Sequence, residues 1–83
     1  MIPVYVCEDN PVQLKMIREI IEKLIFIEDY HMEIQCAAIH PEQLLNHLTP
    51  GIPTGIYFLD IDLNGKMNGL QLAEKIRQYD PYG

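Results

Sequence analysis

Three carboxylates stand immediately after two short apolar runs. Val4-Tyr5-Val6-Cys7 leads into Glu8-Asp9, and Ile56-Tyr57-Phe58-Leu59 leads into Asp60. Runs this short, rich in β-branched and aromatic residues, read as buried strands of a parallel sheet. In open α/β sheets, binding groups lie just beyond the carboxyl ends of the strands. Neighbouring strands are about 4.8 Å apart, so acids at adjacent strand ends can share one cation. Left alone, that much negative charge repels itself and raises carboxyl pKa values. A hard divalent ion relieves the repulsion, and magnesium takes carboxylate oxygens together with retained waters.

The elements that must position these acids follow from the pattern around them. Residues 3–7 read as a first strand. Asn10-Pro11-Val12-Gln13 reads as a helix start: Asn10 can cap, Pro11 is tolerated at the first helical position, and Gln13 stands where a capping-box partner belongs. Leu14, Ile17, Ile20, Ile21 and Leu24 recur at helical spacing, so their stripe is expected to face the core as far as about Ile27. Lys15–Glu19, Arg18–Glu22 and Glu19–Lys23 are opposite charges four residues apart on the wetter side.

Met32 to Ile39 reads as a second strand with imperfect alternation, as expected for burial on both faces or a place near an edge. His40-Pro41-Glu42-Gln43 repeats the helix-start pattern, and Leu44, Leu45 and Leu48 supply an apolar side. The breaker-rich segment 49–55 reads as loop, and Ile56–Leu59 as the third strand. Asp62 to Met67 reads as a loop with a turn at Asn64-Gly65. Asn68 with Gln71 is expected to cap a last helix whose core face is Leu72, Ala73 and Ile76, ending at Tyr79-Asp80-Pro81. The order is β-α-β-α-β-α, which implies parallel strands joined by right-handed crossovers.

Composition narrows the function. Eighty-three residues make one small domain, with 48% hydrophobic content in the globular range. Twelve acidic against six basic residues give a net charge of −6, which argues against nucleic-acid binding by this segment. Cys7 and Cys36 fall in expected strands without metal-type spacing, and read as buried reduced thiols. His31, His40 and His47 are too dispersed to suggest a metal site. No signal-peptide pattern or membrane-length apolar run stands in the sequence, so a cytoplasmic location away from membranes is expected.

The chain resembles the receiver domain of two-component response regulators. More narrowly, it is similar to the accessory-gene-regulator branch, in which a LytTR-type DNA-binding domain follows the receiver. The resemblance rests on Val6-Cys7-Glu8-Asp9-Asn10-Pro11, on Tyr57-Phe58-Leu59-Asp60-Ile61-Asp62-Leu63, on Asn68-Gly69-Leu70 and on Ile76-Arg77. It implies a partial flavodoxin-like fold with strand order 2-1-3 in the part present. It makes Asp60 the phosphoacceptor, with Glu8, Asp9 and Asp60 as magnesium ligands and Asp62 contributing its backbone carbonyl. It implies a sensor histidine kinase as phosphoryl donor and a regulatory role in transcription rather than a metabolic reaction. DNA contact would come only through a C-terminal domain absent here.

The departures matter too. A complete receiver has five βα units, and residues 1–83 supply the N-terminal three. The family's Ser or Thr on the fourth strand and Lys on the fifth are therefore missing. The third strand becomes an edge, so self-association as a homodimer is expected. Two other readings stay open. Asp60-Ile61-Asp62 also resembles the D-x-D signature of haloacid-dehalogenase-type magnesium-dependent phosphatases, although Asn64 stands where a Thr or Val is usual and Asp60 closes the third strand instead of the first. A receiver-like interaction module that is not phosphorylated is the other.

Overall fold

The computed structural model describes residues 1–60 and 67–83; the expected Asn64-Gly65 turn and Asp62 lie outside the described residues. The elements are β1 (Ile2–Cys7), α1 (Pro11–Ile27), β2 (Met32–Ala38), α2 (Pro41–Leu45), β3 (Ile56–Leu59) and α3 (Gly69–Arg77). The strands form one parallel sheet in the order β2-β1-β3, as a partial flavodoxin-like fold requires. β1 is the central strand, and its residues Pro3 to Cys7 are all buried.

Local chemistry explains the helix boundaries. The Asn10 side chain accepts from the backbone N–H groups of Val12 and Gln13, which would otherwise lack intrahelical partners. α1 stops where Asp29 turns into the left-handed region at φ 53°, and Tyr30 N–H closes back onto the Ile25 carbonyl at 3.1 Å. Gln43 folds back to accept from the Ile39 and His40 N–H groups at the start of α2. Asn68 and Gln71 form the full reciprocal capping box of α3, at 2.9 and 3.0 Å.

Two layers of core flank the sheet. Val4, Val6 and Ile21 pack on one face with Leu14, Ile17, Ile25, Met32, Ile34 and Ile56. Tyr5, Cys7, Ala38, Leu44, Leu48, Leu72 and Ile76 pack on the other. The expected α1 stripe is therefore corrected. Ile20 and Leu24 are 56% and 51% exposed, and Ile25 takes part in the core instead. The helix lies on the sheet along a face centred on Ile21, which is narrower than its apolar content. Of the expected charge pairs on α1, Arg18–Glu22 closes at 2.9 Å on the exposed side.

The imperfect alternation of β2 has a structural cause. Val4 pairs with Ile34 but Tyr5 pairs with Cys36, so Gln35 is passed over. One extra residue reverses the side on which following side chains fall. Met32 and Ile34 accordingly face α1, whereas Cys36 and Ala38 face α2 and α3.

The two faces of α1 give a direct test. Ile21→Ala is expected to lower unfolding free energy by about 2–4 kcal/mol, as for other buried aliphatic truncations. Leu24→Ala is expected to cost less than about 1 kcal/mol, as at sites outside the core. Urea denaturation of the two variants beside the parent checks this; equal losses would contradict the packing.

Candidate functional site

The sheet delivers its acids to one edge. The ladder continues past the strands: Glu8 N–H donates to the Ala38 carbonyl and Asp60 N–H to the Cys7 carbonyl, each at 3.0 Å. β1 and β3 pair with Cys7 opposite Leu59, so the next residue of each strand, Glu8 and Asp60, emerges side by side. Asp9 follows at once, and its N–H donates to Glu8 Oε2 at 3.0 Å. Carboxylate oxygens of Glu8, Asp9 and Asp60 all lie within 4.8 Å of one another. The clustering expected from the strand ends is therefore present.

The acids differ in setting. Glu8 is 5% exposed, while Asp9 and Asp60 are half-buried. A side-chain hydrogen bond with Asp60 pushes the Glu8 carboxyl up to about 7, with burial and the charges of Asp60 and Asp9 adding to the rise. Such a bond needs a proton between the two carboxyls. On the α1 side the acids border a recess of about 340 Å³ lined by Val6, Cys7, Glu8, Ile17, Phe58, Leu59 and Asp60. Its mostly apolar wall strengthens electrostatic interactions at the cluster.

The donor set is all oxygen and anionic, which suits magnesium or another hard ion and not a soft one. Oxygens this close can converge on one ion at about 2.1 Å with little rearrangement. The fourth expected contributor, the Asp62 carbonyl, lies outside the described residues. Cys7 stands next to the site but is no candidate nucleophile: burial, with nearby acidic groups adding, raises its thiol to about 11. Cys36 is half-buried, and both cysteines are unbridged.

One polar residue escaped the sequence reading. Asp80, read only as part of a helix stop, is 1% exposed and bonded to β3. A charged residue three positions past the end of α3 resembles any solvated turn acid. Its burial partners, Gly55 and Tyr57, lie more than twenty residues earlier.

Among the described residues, no helix is long and apolar enough to cross a membrane. No family model matches the chain, and no solved structure matches it. Curated proteins do. Over 80 residues it is 39% identical to accessory gene regulator protein A of Staphylococcus aureus (strain N315), covering 96% of this chain and 34% of that protein. Over 80 residues it is 40% identical to accessory gene regulator protein A of Staphylococcus epidermidis (strain ATCC 35984), with the same coverage. The chain spans about a third of the length of these relatives. The likeness to accessory gene regulator protein A runs through almost the whole chain, and with the acid-bearing strand ends and the β2-β1-β3 parallel order it is consistent with the receiver part of that branch of response regulators.

Proposed function

We propose that this chain is the phosphoacceptor segment of a two-component response regulator that controls transcription. In this reading residues 1–83 are the first three βα units of a receiver, and Asp60 accepts a phosphoryl group from a sensor histidine kinase. Glu8, Asp9 and Asp60 hold magnesium, with the Asp62 carbonyl as a further ligand. The observation that carries it is the convergence of these three carboxylates within 4.8 Å at the carboxyl edge of the sheet. DNA contact falls to another domain of the regulator, since the segment carries a net charge of −6.

The chemistry is nucleophilic attack by a carboxylate. An Asp60 oxygen forms a bond to phosphorus as the donor's N–P bond breaks, and the donor imidazole keeps the electron pair. Bound magnesium supplies charge neutralisation for the phosphoryl oxygens. Glu8 and Asp9 would hold the ion beside Asp60, Glu8 as its ionised carboxylate. The acyl phosphate adds roughly one to two units of negative charge, by analogy with other phosphorylations, and that charge is what a regulatory switch reads. A haloacid-dehalogenase-type phosphatase uses similar groups, but the third-strand position of Asp60 and the relatives' name favour the regulator.

Labelling with acetyl phosphate tests the acceptor. Incorporation is expected to require magnesium and to vanish in Asp60→Asn. Label that survives this substitution, or turnover of a generic phosphatase substrate, would overturn the reading. A longer receiver that includes the family's Ser or Thr and its Lys is expected to label faster, since each such donor contributes about 10²–10³ in rate.

The Glu8 shift fixes the sign of a pH dependence. Its folded pKa of about 7 lies above the ordinary 4.5, so between those values the folded chain holds a proton that the unfolded chain has released. Stability from this group is fully present below about 4.5 and lost as pH rises through about 7. Without metal, the melting temperature is expected to fall across that window. Magnesium is expected to raise it more at pH 8 than at pH 5, because at low pH a proton competes for the site. Glu8→Gln should flatten the profile. Thermal melts in EDTA and in magnesium measure all three.

Self-association belongs to the same reading. β3 is an edge strand, and Phe58 on it is 45% exposed. Unpaired backbone groups beside apolar surface favour pairing with a second copy. Sedimentation over a tenfold concentration range is expected to show a reversible dimer; a well-folded monomer throughout would count against it.

A further inference from the structure

β3 has four residues and sits at the edge, yet it carries Asp60. Its ladder to β1 holds one side. What else fixes it is found at its opposite end. Asp80 Oδ2 accepts from Gly55 N–H at 2.7 Å and from Tyr57 O–H at 2.8 Å. The carboxyl is buried, and among the described residues its other oxygen, Oδ1, has no partner. Both bonds therefore fall on one oxygen, and both donors belong to β3 or the residue before it. Tyr57 in turn stacks on Tyr5, its register partner on β1, with ring centroids 4.8 Å apart and planes 10° apart. Gly55 makes the close approach possible: a Cβ there would lie 2.8 Å from the Pro3 carbonyl oxygen and 2.9 Å from the Tyr5 ring.

We propose that Asp80 is a positioning residue for Asp60. It ties the end of the α3 segment to the start of β3, and through the Tyr57–Tyr5 stack it holds the register that sets Asp60 beside Glu8. This rests on the functional reading only in what Asp60 then does. The physical logic is that of a short edge strand. A slip of one residue turns every side chain to the other face, which would carry Tyr57 out of the core and move Asp60 from Glu8. A buried carboxylate taking two hydrogen bonds opposes that slip, because the slipped state leaves the charge buried and unpaired. The clamp acts on the far end of β3 from the acids, so it fixes the strand without occupying the site.

Hydrogen exchange separates this role from general stabilisation. The readouts are Asp60 N–H, bonded to the Cys7 carbonyl across β1–β3, and Glu8 N–H, bonded to the Ala38 carbonyl across β1–β2. Under native conditions, Tyr57→Phe keeps the ring stack and removes one bond to Asp80; Asp80→Asn keeps an oxygen and removes the charge. Each is expected to speed exchange at Asp60 by about tenfold or more relative to Glu8, the size expected for a lost charge-assisted hydrogen bond. Magnesium affinity, measured by titration of the folded variants, should weaken in parallel. Equal acceleration at both amides, or none at either, would overturn the proposal. A parent that binds no magnesium would sink the functional reading instead, while the exchange ratio would still decide the role of Asp80. Tyr57→Phe retains the full aromatic volume, so the test stands even where Asp80→Asn does not fold.

Discussion

Everything in this molecule hangs on β1 being hydrogen-bonded on both sides. It is the strand that meets β2 and β3 at once, and both layers of core close on it. Val4 and Val6 go to one layer, Tyr5 and Cys7 to the other. Its neighbours each lack a second partner among the described strands, so their placement depends on it. The parallel ladders also aim all three strands the same way. That common direction is what brings Glu8, Asp9 and Asp60 to a single edge.

The convergence has an electrostatic consequence. Carboxyls within 4.8 Å of one another cannot all be ionised cheaply. The hydrogen bond with Asp60, with burial and the neighbouring charges adding, raises the Glu8 carboxyl to about 7. Function and stability pull apart here, as they often do at sites that store like charge. A domain this small has little core with which to offset the tension. A divalent ion bound there would meet both demands, since it would attract the charges that repel one another.

The two edges of the sheet are managed differently. β2 carries the skipped residue Gln35, which turns its side chains between the two cores and bends the edge. β3 is short and partly exposed, and it is secured by the Tyr5–Tyr57 stack and the two hydrogen bonds to Asp80. The strand that bears Asp60 is thus the one whose position owes most to side chains outside the ladder.

Much of this was legible in the residues alone. The apolar runs fixed three strands, because buried parallel strands must be continuously apolar. Asn10, Gln43 and the Asn68–Gln71 pair marked the helix starts, because caps act within a few residues of themselves. The acids of the site were visible for the same reason: each directly follows its strand. Tertiary structure alone decided the rest. Ile20 and Leu24 match the helical period of α1 as well as Ile21 does, and only the docking angle on the sheet leaves them exposed. The bulge at Gln35 is a property of a strand pair, with no signature in one strand's sequence. Asp80 became a buried clamp because folding brought it to Gly55 and Tyr57, and its own neighbours in the chain carry no trace of that contact. Local periodicity and capping are written in adjacent residues; burial of a polar group is settled only by what the distant chain places around it.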